Sequence, residues 1–288
     1  MRYTLFIFLI AIALTCDVLV FGQQVPDSVE VSFKPLFKNH TGPVVVIDEH
    51  HQNMHTLTGG YMAFGRLLSQ DGYRVQRGNE EFSGDYLKKI DILVIVNAVG
   101  ATSAFTESEE ENVVQWVRGG GSLFLVADHM PFAGFASSLA KRMGVTFHNG
   151  FAIDSTGALA CDIFARKSNT LEGGSLLTKR FTVDSVASFL GSAIALPENG
   201  IEVLKLGKGF RIHMPDEPWM FDKNTPSIPG EGLCQGGIFT FGKGKVVVWG
   251  EAAMFTAQRV GDYKVGMNTS AGKNNYKLLL NLMQWLSE

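Results

Sequence analysis

The chain has 288 residues, 45% hydrophobic and 18% charged, which is enough apolar side chain for a full core and too much for a disordered polymer. Its formal net charge is −3, with 25 Lys+Arg against 28 Asp+Glu, so it lacks an electrostatic footprint for nucleic acid or an anionic membrane, and neither partner is expected. Three cysteines are too few for a disulfide framework.

Met1-Arg2-Tyr3-Thr4 followed by the apolar run Leu5 to Leu14 has the layout of a secretory signal. The cleavage site expected is Val20-Phe21-Gly22, which makes residues 1–22 a signal peptide, leaves Gln23 as the new N-terminus and sends the protein to the periplasm or the exterior. Asp17 interrupts an apolar stretch already short for a stable membrane span, so none is expected after cleavage. The alternative is a membrane anchor, through an uncleaved signal or through Cys16, although Thr15 suits a lipoprotein signal poorly. Of the remaining cysteines, Cys161 and Cys234 read as small buried residues, and their spacing does not decide whether they pair.

Residues 23–42 carry Pro26, Pro35 and scattered charge and read as an irregular lead-in to one domain, 43–288. Val44 to Asp48 is an uninterrupted β-branched run, the pattern of a strand covered on both faces. A helix is expected over Tyr61 to Gln70, ended by Asp71-Gly72, then a short strand Tyr73 to Gln76 and a short helix or turn Ser83 to Lys89. Ile90 to Val96 is a second apolar strand. Thr106-Glu107-Ser108-Glu109 has the spacing of a capping box, opening a helix that runs to Arg118 and stops at Gly119-Gly120-Gly121. Ser122 to Ala127 is the third buried strand, followed by Asp128-His129-Met130-Pro131 and a helix Phe135 to Met143. Strands alternating with helices imply parallel pairing through right-handed crossovers.

From Val145 the rhythm changes to short β-like runs, Val145 to His148, Phe181 to Val183, Ala193 to Leu196, Ile201 to Leu206 and Phe210 to His213, expected as an antiparallel insertion. Pro215 to Gly232 is a long Pro-rich loop holding Trp219 and Phe221, which either stack on a sugar ring or pack on the sheet, packing being preferred. Gly237 to Phe241 and Lys245 to Trp249 form a C-terminal β-hairpin, and a closing helix spans Asn274 to Leu286.

The segments Val44 to His55, Leu123 to Phe132 and Gly244 to Glu251, with the closing helix ending Trp285-Leu286, resemble a mostly bacterial domain family of unknown function placed among the class I glutamine amidotransferase-like folds. The resemblance spans Pro43 to Leu286 and implies a three-layer, flavodoxin-like α/β fold with a mostly parallel sheet. The amidotransferase chemistry does not follow, because that reaction needs a Cys on a tight elbow after a central strand. Here the comparable strand end carries Asp128-His129, and neither Cys161 nor Cys234 follows such a strand.

Four apolar runs end in polar groups: Asp48-Glu49-His50, Asn97, Asp128-His129 and Glu251. In an open parallel sheet these ends share one edge, where ligands bind. The expected catalytic residues are Asp48, Asp128, His129 and Glu251; the candidate ligands for a divalent metal such as zinc are Asp48, His51, His55 and Asp128, all in one crevice with His50 close by. His51 and His55 have the i, i+4 spacing of a zincin helix, but Gln52 stands where that motif carries its general base. The opposing reading is that these side chains hydrogen-bond loop backbone and shape the crevice. His148-Asn149-Gly150 reads as a turn, and Asp154 and Asp162 as loop residues. Two functions follow: an exported hydrolase using the carboxylate–imidazole crevice, or a non-catalytic module binding a small molecule or carbohydrate there.

Overall fold

The structure is a computed structural model and describes residues 24–155 and 161–288. The signal segment, its cleavage site and Cys16 lie outside the described residues.

After the two-residue β1 (Val25–Pro26), β2 (Val44–Asp48) is buried at every position, as a run without polar alternation requires. α1 (Met62–Gln70) buries Phe64, Leu67 and Leu68. It ends at Asp71-Gly72, where Gly72 takes φ +94° and a Cβ would stand 1.8 Å from the Phe37 carbonyl oxygen. β3 (Arg74–Gly78), the short α2 (Gly84–Leu87) and β4 (Ile92–Val96) follow. α3 (Glu107–Gly119) opens with the expected capping box: Thr106 Oγ1 accepts from the Glu109 N–H while the Glu109 carboxylate accepts from the Thr106 N–H. β5 (Ser122–Val126) is again wholly buried, and α4 (Phe132–Lys141) starts three residues earlier than its sequence pattern suggested.

The second half contributes β6 (Thr146–Asp154), β7 (Asp162–Ala165), β8 (Ser185–Ser188), β9 (Gly191–Ala195), β10 (Ile201–Lys205), β11 (Phe210–His213) and β12 (Ser227–Pro229). β13 (Cys234–Phe241) and β14 (Gly244–Trp249) form the expected hairpin, then come β15 (Ala257–Val260), β16 (Tyr263–Gly266) and α5 (Asn275–Leu286).

The main sheet has eleven strands in the order β12-β11-β6-β9-β13-β14-β5-β4-β2-β3, with β10 also paired to β13. β2, β4 and β5 are adjacent and parallel, as expected, and β3 and β14 extend them in parallel on either side. The expectation of a mostly parallel sheet is corrected, because the sheet is mixed. Apart from the parallel pair of β14 with β5, the strands after α4 are joined by loops and hairpins without crossover helices, so they pair antiparallel and continue the sheet beyond β14. Phe181 to Val183 is not a strand, and His148 to Gly150 lies inside β6 where a turn was expected. Two small sheets, β7-β8 and β1-β15-β16, were not anticipated; the second ties the lead-in to the domain through Val25–Arg259 and Pro26–Gln258 pairs.

Pleating divides the core. Val45, Ile47, Val94, Phe124 and Val247 face α1 and α5, while Val44, Val46, Leu93, Leu125 and Val248 face α2, α3 and α4, so the parallel half is a three-layer structure. Among the described residues no helix is long and apolar enough to cross a membrane. Both described cysteines are free, so Cys161 and Cys234 do not pair.

Candidate functional site

The carboxyl ends of β2, β4, β5 and β14 lie along one sheet edge, as predicted, since Val96 pairs with Val126 and Val126 with Trp249. The polar residues beyond them nevertheless form two separate groups.

In the first, Asp48, His51 and Glu109 are all buried. His51 Nδ1 lies 2.9 Å from Asp48 Oδ2 and its Nε2 lies 2.9 Å from Glu109 Oε1. Burial pulls the imidazole pKa down, but the bonds and charges of Asp48 and Glu109 outweigh it, and the net direction is up from 6.5. Glu109 also accepts from the Phe82 and Thr106 N–H groups; against the cost of burial, these bonds and His51 hold its carboxyl down at about 2. Phe82 and Phe105 pack on the His51 ring, and His50 meets it edge-on at 5.1 Å. Both ring nitrogens of His51 are therefore engaged, and the group pins the loop after β2 to the first turn of α3. Glu109 is the member that sequence reasoning missed: its capping role was legible, its pairing with His51 was not.

The second group is built on β5 and β14. Asp128 Oδ1 accepts from the His129 N–H at 2.8 Å and Oδ2 from the Ala252 N–H at 3.3 Å. Glu251 accepts from Ala253 and Met254 at 2.7 and 2.8 Å, so the two carboxylates together hold three consecutive backbone amides. Burial raises the pKa of both carboxyls; in Glu251 the neighbouring charge of Asp128 adds to the rise, whereas His129 opposes it in Asp128. Tyr61 is buried beside them, its hydroxyl 3.4 Å from the Ala252 carbonyl oxygen. His55 stacks on Tyr61 at 5.4 Å, held neutral by burial, which lowers its pKa to about 4. Gly60 makes room for it, since a Cβ there would stand 2.1 Å from His55 Nδ1.

His129 links this group to the surface. Its Nδ1 donates to the Met130 carbonyl oxygen at 2.9 Å, its ring stacks on Phe151 at 4.8 Å, and Trp219 meets it edge-on at 4.8 Å. Nε2 has no hydrogen bond among the described residues. Phe221 meets Phe151 edge-on at 5.0 Å. Trp219 and Phe221 thus pack on the sheet as preferred, yet they remain 45% and 42% exposed.

The four candidate metal ligands do not meet. Asp48 and His51 belong to one group and His55 and Asp128 to the other, His51 and His55 lie in a loop before α1 with no helix between them, and both nitrogens of His51 are taken by carboxylates. Among the described residues no set of three or more His, Cys, Asp or Glu is arranged to hold a metal ion. Of the expected catalytic residues, Asp128, His129 and Glu251 come together and Asp48 stands apart. Asp162 opens β7 and has its carboxyl raised to about 6 by burial and by the charge of Asp154. Cys234 is buried at the start of β13, its thiol pushed up by burial, and so does not stand on an elbow after a strand.

No protein-family profile matches the chain, and no curated protein does. Among solved structures it is similar to the mmIFT52 N-terminal domain, 15% identical with TM-score 0.60 over 85% of this chain and 97% of that one. It is similar also to Cytoplasmic Protein STM3548 from Salmonella typhimurium, 14% identical with TM-score 0.54 over 85% of this chain and 99% of that one. A putative ThuA-like protein from Parabacteroides merdae aligns over 86% of this chain and 90% of its own at 12% identity and TM-score 0.48. The first two likenesses show a shared α/β fold.

Proposed function

We propose that the protein is an exported, non-catalytic module of the class I glutamine amidotransferase-like fold group that binds a carbohydrate or similar small polar molecule beside His129. The observation that carries this is the pair Trp219 and Phe221, about half exposed around Phe151 and His129. Large aromatic faces left in water beside polar groups suit the apolar face of a sugar ring. The nearby charged side chains support binding over chemistry: Asp48, His51 and Glu109 are mutually satisfied, and Glu251 is wholly buried on backbone amides. The fold-group reading draws on the five parallel strands, which lie 2-1-3-4-5 in their own chain order, a flavodoxin-like arrangement, and on the segments quoted above. Export draws on residues 1–22, and the lack of an elbow thiol speaks against amidotransfer.

Calorimetric titration with cellotriose, maltotriose, mannotriose and chitotriose tests the binding reading. At least one should bind the wild type and bind Trp219→Ala much more weakly; no binding by any of them would sink it. A second reading, a hydrolase, is favoured by the two raised carboxyls of Asp128 and Glu251 next to a His129 nitrogen that has no protein partner among the described residues. Chromatography of the same sugars after prolonged incubation separates the two, since cleavage abolished by Asp128→Asn would replace binding with catalysis.

A further inference from the structure

The loop from Pro215 to Thr225 is closed at its base and loosely held above it. The Met214 N–H donates to the Pro226 carbonyl oxygen at 2.8 Å, just beyond the β11-β12 ladder, so the two ends stand together as in an Ω-loop. Above that bond the hydrogen bonds are internal: the Met220 N–H to the Glu217 carbonyl oxygen, the Asp222 N–H to Thr225 Oγ1 and the Asn224 N–H to Asp222 Oδ1. Among the described residues no hydrogen bond or ion pair joins residues 215–225 to the rest of the domain. Ring contacts seat the loop: Trp219 lies 4.8 Å from both His129 and Phe151, and Phe221 lies 5.0 Å from Phe151 and 6.4 Å from His213. Trp219, Met220 and Phe221 remain about half exposed, so this seat buries little apolar surface, and Trp219 holds φ +68°, a left-handed conformation costly for a residue with a side chain. A segment with few buried contacts and no bond to the sheet opens at a fraction of the free energy of global unfolding.

We propose that residues 215–225 form a lid that lifts off Phe151 and His129 about its Met214–Pro226 base, and that the sugar enters between Trp219 and those two rings. The ligand rests on the binding reading above; the motion does not. Phe151 is wholly buried and stacked on His129, so opening bares an aromatic platform beside the unpartnered Nε2 of that imidazole. Because Nδ1 donates to the Met130 carbonyl oxygen, Nε2 of the neutral ring is left as an acceptor for a sugar hydroxyl. Pro215 and Pro218 fix φ in the first arm and Pro226 bounds the second, which lets the lid move as a body.

The test is fluorine NMR of the whole protein labelled with 5-fluorotryptophan, the Trp219 line being assigned by its loss in Trp219→Phe. Trp116, Trp249 and Trp285 lie outside the loop and serve as controls. In the free protein the Trp219 line should show μs–ms exchange between a seated and a released position, which the control lines lack. Phe221→Ser removes one ring contact and should raise the released fraction about threefold or more. Whichever of the four trisaccharides binds should, at saturation, replace the exchange with a single shifted line. A static Trp219 line in the free wild type, exchange shared equally by the controls, or an unchanged released fraction in Phe221→Ser overturns the lid and leaves the binding reading standing. Exchange that a bound sugar leaves untouched overturns the entry route. If the wild type binds none of the sugars, the binding reading falls, and the line of the free protein still decides the lid.

Discussion

His51 Nε2 and Glu109 Oε1 stand 2.9 Å apart, joining the loop after β2 to a residue that also caps α3. Because Asp48 is fully buried on the other side of the same ring, His51→Ala would strand a carboxylate in the core. The expected cost is about 3 kcal/mol, read as a lower urea midpoint, with trisaccharide binding by the remaining folded protein unchanged. A cost below about 1 kcal/mol would mean that the triad contributes little to the fold.

The same triad sets a pH dependence. His51 has its pKa raised above 6.5 in the folded state, so it binds its proton more tightly folded than unfolded. Its contribution is complete below that value and is lost as pH rises through the raised pKa. Glu109 acts oppositely: lowered from 4.5 to about 2, it stabilises above pH 4.5 and loses that contribution as pH falls toward 2. Urea unfolding between about pH 6 and about pH 9 should show a decline toward the alkaline side that His51→Gln removes. A decline of equal slope in the variant would assign it to other groups.

The capping box gives a smaller and separable effect. Thr106→Ala removes the acceptor for the Glu109 N–H and a hydroxyl donor to the Glu109 carboxylate, which lie 3.3 and 2.8 Å apart respectively. Stability should fall by about 1 kcal/mol. A loss as large as that of His51→Ala would show that the cap, and with it the position of Glu109, depends on the hydroxyl alone.

Gly191 sits where β9 crosses the end of β14. An added Cβ would stand 2.1 Å from the Gly250 carbonyl oxygen and 2.8 Å from Glu251 Cβ, atoms held by the sheet that have little room to retreat. Gly191→Ala should therefore cost about 3 kcal/mol or more by overpacking, measured as a lowered unfolding midpoint. A variant of wild-type stability would mean that this crossing is looser than its distances indicate.

The long apolar runs by themselves determined the buried parallel strands and the polar groups at their ends, because a strand covered on both faces cannot carry alternating polar residues. The Thr106–Glu109 box and the β13-β14 hairpin were equally local and equally legible. Register and pleat decided how the polar ends divide. Ile47, Val94, Phe124 and Val247 stand side by side on one face, so Asp48, one residue beyond Ile47, turns to the face of α2 and α3. Asp128, two beyond Val126, and Glu251, two beyond Trp249, keep the parity of the α1 and α5 face. That single alternation separates Asp48 and His51 from Asp128 and His55. The exposure of Trp219, the pairing of Glu109 with His51 and the bonds of Asn53 to Val96 and of Asn97 to Asp128 depend on contacts between residues far apart in the chain, which no local pattern encodes.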